Sequence, residues 1–356
     1  MKPVVFCPGS LRAGLEPRFG ARRFATFLQA GGNPGHLDDP EPREIAARLG
    51  LPPPTARMLA RRLRRWDLEQ VVDEARSRRA EIITWGDPRY PSSLTELADP
   101  PPCLFWRGEP WARDELGVAV VGARKASPYG LRMARTLAGD LARAGVTVVS
   151  GLARGVDAAA HEAVLAAGGR TIAVLGCGLA RPYPPEHATL LESVLDRGAA
   201  CSEFALDAPP RAHQFPQRNR ILAALSAAVV VVEAGARSGA LSTAHHALDL
   251  GREVLAVPGA VDREQSVGTM LLLRDGATPV AGVQDVLGAL GYCDPKPLSL
   301  PETEQKVLET IPPAGATAEE VDAALGIGAD VAAGYLVTLE VRGLVEREIG
   351  GRYVVR

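Results

Sequence analysis

Short runs of β-branched and small apolar residues alternate with helical stretches through the middle of this chain. The runs Val118–Val121, Val146–Val149, Thr171–Leu175, Ala227–Val232 and Val254–Val257 are apolar almost throughout. A strand with no polar face is covered on both sides, and strands separated by helices run parallel. Two more extended pieces, Ile82–Trp85 and Cys103–Arg107, precede these runs and add to the same sheet. Residues 80–292 are therefore expected to form an α/β domain, an extended Rossmann-like, doubly wound and mainly parallel sheet.

The flanks read differently. Residues 1–79 predict a small helical (SAM-like) N-terminal domain, with helices at Glu16–Ala30, Glu41–Leu49 and Thr55–Trp66. Gly31-Gly32-Asn33-Pro34 and Pro52-Pro53-Pro54 break the pattern between them. The third helix carries Arg57, Arg61, Arg62, Arg64 and Arg65, which suit a solvated face as well as a DNA contact. Pro295, Pro297 and Pro301 mark 293–301 as a linker. Beyond it come helices at Glu302–Thr310, Ala318–Leu325 and Asp330–Arg342, then a hairpin of Leu344–Glu348 and Arg352–Val355 around Gly350-Gly351. Three helices and a two-stranded wing make 302–356 winged-helix-like.

Net charge is only −2, but it is unevenly distributed. Residues 1–79 hold 15 Lys+Arg against 9 Asp+Glu, while residues 300–356 hold 5 against 10. A basic head and an acidic tail suggest a polyanion at one end and a different contact at the other. The third helix of the tail, DVAAGYLVTLEVR, has one arginine against two acids, which does not suit a duplex-reading helix. A packing or protein-interaction module is expected there.

Composition excludes several classes. The five cysteines are scattered without a CxxC pair, so plain thiols are expected rather than disulfides or zinc. The six histidines show no ligand spacing, and adjacent His245 and His246 point apart on a helix. No metal and no cofactor are expected. Met1–Ser10 lacks the apolar core of a secretion signal, and no apolar stretch approaches the roughly 20 residues of a membrane span. A cytoplasmic protein without a membrane partner is expected. All but four of the 40 basic residues are arginine. A GC-rich genome accounts for most of that, although guanidinium also suits bidentate phosphate contacts.

In a doubly wound sheet, ligands bind outside the carboxyl ends of the strands, and four segments place loops there. In VAVVGARKASPYG (118–130), Arg124 and Lys125 occupy the turn and Ser127-Pro128 starts a helix. In VVSGLARGVDAAAH (148–161), Ser150-Gly151 ends a strand and Gly155 lets the backbone turn tightly. The helix start near Asp157 then offers backbone N–H groups as a phosphate seat. RAHQFPQRNR (211–220) sets Phe215 among Arg211, Arg218 and Arg220, the pairing of charge and flat ring that single strands need. In EAGARSGALSTAHHA (233–247), Arg237, Ser238 and Gly239 precede a helix. Four basic or Gly-Ser turns on one sheet edge imply an anion-binding crevice.

Nucleotide cofactors fit poorly. The turn Gly122-Ala123-Arg124 lacks the glycines of a dinucleotide site, none of the four lysines follows a glycine as a P-loop requires, and no GxSxG elbow occurs. An acid–base pair could be drawn from Asp157, His161, Glu203 and Glu233. The expectation is instead that Asp157 caps its helix, His161 faces the core, and the glutamates orient the crevice arginines. No catalytic residue is assigned.

VGARKASPYG (121–130), SGLARGVDAAAH (150–161), FPQRNRILAAL (215–225), EAGARSGALSTA (233–244) and VPG (257–259) resemble, in order and spacing, the DNA-processing protein A (DprA/Smf) family. GDPRYPSSLTELADPPPCLFWRG (86–108) resembles the segment leading into that family's Rossmann-like domain. The resemblance implies a homodimer that binds single-stranded DNA and loads a RecA-type recombinase during natural transformation, without enzymatic activity. Carried onto matching positions, it implicates Arg124, Ser150, Gly151, Gly155, Phe215, Arg218, Asn219, Arg220, Ser238 and Gly239 in the DNA pocket. Lys125 or Arg237 would add charge. The chain departs from the pattern at Met270, where relatives often carry asparagine.

Two rival readings fit the same sequence. One is a nucleotide-hydrolase or nucleotide-sensing site, although the PGGxGTxxE-type loop is absent: Ala260 follows Pro258-Gly259, and no glutamate follows Gly268-Thr269 at the motif's spacing. The other is a scaffold that meets DNA only through a partner.

Overall fold

A computed structural model describes residues 6–108, 117–291, 302–312, 315–341, 344–347 and 351–355. The chain divides into two compact units, Met1–Gly291 and Tyr292–Arg356. The linker expected at 293–301, and Cys293 within it, lie outside the described residues.

Five helices open the first unit: α1 (Pro8–Leu15), α2 (Gly20–Gln29), α3 (Pro42–Leu49), α4 (Pro53–Arg64) and α5 (Leu68–Ser77). The sequence pattern shows neither α1 nor α5. In α1, Gly9, Ser10 and Gly14 are weak helix formers, and burial of Leu11 and Leu15 against Phe105 and Leu175 overrides propensity. The second helix begins at Gly20 rather than Glu16, because Glu16 turns inward and is fully buried. Its carboxylate takes Arg62 Nε at 2.9 Å and Arg65 at 3.4 Å. Arg64 pairs with Asp39 at 2.9 Å. Three of the five arginines on α4 and its C-cap are thus bound to carboxylates and help hold the helices together. Pro53 and Pro54 start α4, where a missing N–H costs nothing.

The sheet follows: β1 (Glu81–Thr84), β2 (Cys103–Gly108), β3 (Val118–Val121), α6 (Pro128–Arg143), β4 (Val148–Ser150), α7 (Val156–Ala166), β5 (Thr171–Val174), α8 (Ala188–Arg197) and β6 (Ala199–Ser202). After these come α9 (Gln214–Ala224), β7 (Ala228–Val231), α10 (Gly239–Asp249), β8 (Glu253–Ala256), α11 (Val267–Arg274), β9 (Thr278–Pro279) and α12 (Val283–Ala289). Strand order is β1-β2-β6-β5-β4-β3-β7-β8-β9. Strands β3 to β9 pair in parallel. β2 runs antiparallel to both β6 and β1.

Both faces are covered, as the unbroken apolar strands predict. Val118 and Val120 pack with Leu137 of α6 and Val164 of α7. Their neighbours Ala119 and Val121 pack on the other side with Ile221 and Leu222 of α9 and Ala244 of α10. β6 escapes sequence reading because Ala-Ala-Cys-Ser has no β-branched residue. Its place is set by pairing with β5 on one side and β2 on the other. Cys103, Cys177 and Cys201 are buried free thiols, and burial pushes the Cys103 and Cys201 thiols up to about 12.

The second unit holds α13 (Glu302–Thr310), α14 (Ala318–Leu325), α15 (Ala329–Val341) and a hairpin of β10 (Val345–Arg347) and β11 (Tyr353–Val355), close to the expected elements. The expected ends of the third helix at Arg342 and of the first hairpin strand at Glu348 lie outside the described residues. Thr317 and Glu320 cap α14 reciprocally, and Gly326 ends it in the left-handed region. Val307, Val321, Leu336, Leu339 and Tyr353 form the unit's core. Among the described residues no single helix is long and apolar enough to cross a membrane.

Candidate nucleic-acid interface

From β3 the chain winds one way through β4, β5 and β6, and from β7 the other way through β8 and β9. The reversal lies between β3 and β7. Loops leaving the carboxyl ends of two such strands diverge and leave a crevice. A cavity of about 900 Å³ lies there, lined by Arg124 from the β3 loop, Arg237 to Gly239 from the β7 loop, and Phe215, Arg218 and Asn219 from α9. Asp157 and Tyr183 complete its far wall.

The helix starts around the crevice are largely occupied by the chain's own acids. Buried Glu233 accepts hydrogen bonds from the Ser127 N–H at 2.8 Å and the Ser127 hydroxyl at 2.5 Å, at the start of α6. Ser127 Oγ in turn accepts from Gly130 N–H, the N-cap expected from Ser127-Pro128. At α7, Asp157 Oδ2 accepts from Gly151 N–H at 3.1 Å and Ala153 N–H at 3.4 Å. The expected phosphate seat in the Ser150–Gly155 turn is thus filled by a carboxylate. Asp157 is not the N-cap either; that position is Gly155. Burial raises the Asp157 pKa above the ordinary carboxylate range, while Arg218 and the two amides pull it down.

Ser150 and Gly151 lie beneath the crevice as structural parts. The Ser150 hydroxyl donates to Val120 O at 2.7 Å, tying β4 to β3. Gly155, at φ +78°, is needed because a Cβ there would run into the carbonyl oxygens of Ala123 and Arg124. That close approach holds Arg124 at the rim.

Arg218 and Asn219 form the floor. Arg218 is 3% exposed and donates to the carbonyls of Gly151 (3.0 Å) and Val174. Asn219 Nδ2 donates to Gly239 O at 3.0 Å. Together they join the ends of β4 and β5 to the start of α10. Arg220 departs from expectation. One residue further along α9, it points away from the crevice and is buried, with Glu203 at 2.8 Å and Asp99 at 3.0 Å. Burial works against its charge, and the two carboxylates more than offset that, so its pKa lies above the ordinary value. Its donors serve the fold rather than a phosphate.

Of the remaining residues, Arg124, Phe215, Arg237, Ser238 and Gly239 line the opening, whereas Lys125 is exposed outside the lining. Arg124, Lys125, Arg237 and Gly239 are exposed, and the three cations have no ion pair among the described residues. Ser238 caps α10, its Oγ accepting from Ala240 N–H. Phe215 is half-buried, with the Arg124 guanidinium 5.0 Å from its ring centre. Met270 on α11 stands outside the crevice lining, where Val267 faces in instead.

The acid–base alternative loses its members. His161 is fully buried, with Nδ1 donating to Thr171 Oγ1 at 2.7 Å, which faces it to the core as expected. Glu203 pairs with Arg220 away from the crevice and Glu233 holds Ser127 at the start of α6, so neither orients a crevice arginine as expected. Among the described residues no cluster of His, Cys, Asp or Glu could hold a metal ion.

Sequence reading missed Tyr183, whose ring lies 5.6 Å from that of Phe215, and Arg154, whose guanidinium stands 5.9 Å from the Tyr183 ring. The available signal was an aromatic between prolines in the long loop from β5 to α8.

Residues 81–291 match the family model described as DNA recombination-mediator protein A. A Protein Smf of Synechocystis is 35% identical over 329 residues, covering 80% of this chain and 82% of that one. The X-ray structure of DNA processing protein A from Streptococcus pneumoniae superposes with a TM-score of 0.68 at 32% identity, covering 78% of this chain and 95% of that one. DNA processing protein A from Helicobacter pylori, solved to explain its single-stranded DNA binding mode, gives 0.54 at 31% identity, covering 60% and 96%.

Proposed function

The chain belongs to the DNA recombination-mediator protein A family, and from that premise we propose that its crevice binds single-stranded DNA for delivery to a RecA-type recombinase. The observation that carries this reading is the opening itself, where Arg124 lies over the Phe215 ring and Arg237 lines the same cavity, both without an ion pair among the described residues, while internal carboxylates occupy the helix starts of α6 and α7. A nucleotide hydrolase or sensor needs those helix starts for its phosphates. A strand lying across the rim needs only side-chain cations and a flat face. Arg124, Lys125 and Arg237 hold backbone phosphates, and Ser238 and Gly239 at the start of α10 offer one more. Arg218, Asn219, Ser150, Gly151 and Gly155 hold the crevice in shape. The reading takes in a cytoplasmic homodimer without enzymatic activity, used in natural transformation, as the family resemblance implies.

Losing one charge-assisted hydrogen bond costs about 1.5–3 kcal/mol. Arg124→Ala should therefore weaken oligo-dT binding more than tenfold and flatten the dependence of log K on log salt by about 0.7. Fluorescence anisotropy across a salt series, with purified protein and no recombinase, measures both. Equal binding by Arg124→Ala and the parent at every salt concentration overturns the site. If the parent does not bind either, DNA is met only through a partner. Faster recombinase assembly on oligo-dT coated with single-strand-binding protein tests the mediator role.

A further inference from the structure

A second cavity, of about 670 Å³, shares no lining residue with the crevice. It is a groove between the end of α5 and the start of α8. Leu179, Leu191 and Leu206 form its floor, each no more than 3% exposed. Its rim carries Arg78 and Arg79, just past the end of α5, and Arg107 of β2. Arg78 is held by Glu74 at 3.3 Å and Asp207 at 3.5 Å, which fixes the end of α5 to the loop after β6. Arg107 meets Glu192 at 3.3 Å, but the glutamate side chain is 63% exposed and readily displaced. Arg79 has no ion pair among the described residues, and it stands where a helix end favours glycine. At φ +54° its N–H donates to Arg76 O, and the next N–H, of Ala80, donates to Ala75 O. These two bonds end a helix through the left-handed region, which strains any residue with a side chain. The fold alone does not account for an unpaired arginine at that position.

We propose that this groove docks a short peptide of a partner protein, one that sets a carboxylate beside aliphatic side chains. The site is separate from the single-strand crevice and does not depend on it. Charge and floor together select the occupant. The three leucines offer an aliphatic bed for a leucine, isoleucine or valine of the peptide. Arg79 takes a carboxylate directly, and Arg107 takes a second by exchanging Glu192 for it. Nucleic acid fits poorly on two counts. Among the described residues the lining holds no aromatic ring on which a base could stack. Two of the three rim cations already face the chain's own carboxylates, whereas a phosphate backbone needs a run of uncompensated ones.

Panning a random heptapeptide phage library against the full chain is the test, followed by anisotropy with the most enriched peptide carrying fluorescein. Enriched sequences should pair Asp or Glu with Leu, Ile or Val. Arg79→Gly should weaken the labelled peptide about fivefold, the worth of one well-placed exposed ion pair. Arg79→Gly together with Arg107→Gln should lower affinity further, and added salt should weaken the parent more than this double variant. Because glycine relieves the left-handed strain, Arg79→Gly should melt at the parent's temperature or above it, and oligo-dT binding should not change. The proposal is overturned if enriched sequences lack acids, if the double variant binds the peptide like the parent, or if Arg79→Gly melts markedly lower. Loss of oligo-dT binding in Arg79→Gly would overturn it in favour of a DNA path through the groove. Enriched sequences that match a stretch of this chain would overturn it in favour of a second copy.

Discussion

Replacing Arg220 with alanine is expected to destabilise the protein by about 3–5 kcal/mol, while the variant that remains folded binds oligo-dT nearly as well as the parent. Its guanidinium meets both oxygens of buried Glu203, at 3.1 and 2.8 Å, and donates from Nε to Asp99 at 3.0 Å. Truncation leaves the Glu203 carboxylate buried without its partner. That penalty is much larger than any surface ion pair supplies. Urea unfolding measures the loss. The double variant Arg220→Met with Glu203→Leu should recover most of it, because an apolar pair of similar volume removes the stranded charge. Unchanged stability of Arg220→Ala together with greatly weakened DNA binding would return Arg220 to the interface.

Acid should unfold the protein partly through one histidine. Burial first, then the positive charges of His187 and Arg218, lower the His161 pKa from 6.5 to about 3. An unfolded chain takes up a proton at this histidine near pH 6.5, and the folded chain resists until about pH 3. Its contribution to stability is complete above pH 6.5 and falls away as pH drops towards 3, by up to about 5 kcal/mol. Between pH 7.5 and 4.5 the loss from this group alone is about 2.5 kcal/mol. His161→Gln keeps a group able to donate to Thr171 Oγ1 and cannot titrate, so its stability should fall less over the same interval by that amount. Urea unfolding of both proteins at the two pH values gives the difference directly. Equal pH dependence in the two would mean that His161 is protonated in the folded state.

The two effects share a cause. In each, a polar group along the sheet is sealed away from water, and its partner or protonation state is then fixed by the fold. The crevice depends on the same device: Asp157 holds the amides of the β4 loop, and Glu233 holds the start of α6. Their carboxylates keep two loops in register around an opening whose cations have no ion pair among the described residues.

How far the sequence reaches follows from the range of each interaction. Apolar strands covered on both faces, prolines and serines at helix starts, and glycines at turns act within a few residues. The parallel sheet, α6 with its Ser127 cap and the elements of the second unit were therefore legible along the chain. The rim residues were legible too, because an aromatic among acid-free cations is a local pattern. What escaped were properties of pairs far apart in sequence. Arg218, Arg220 and Arg124 look alike as letters. Only packing makes the first a floor beam, the second a partner of Glu203 and Asp99, and the third a free cation on Phe215. Likewise Ala-Ala-Cys-Ser becomes a strand, and Tyr183 a neighbour of Phe215, because distant segments meet there. Local pattern determined most of the elements and turns, though not α1, α5 or β6. The tertiary structure decided which charges are neutralised and which face the solvent, because desolvation and pairing are set by neighbours that the linear order does not name.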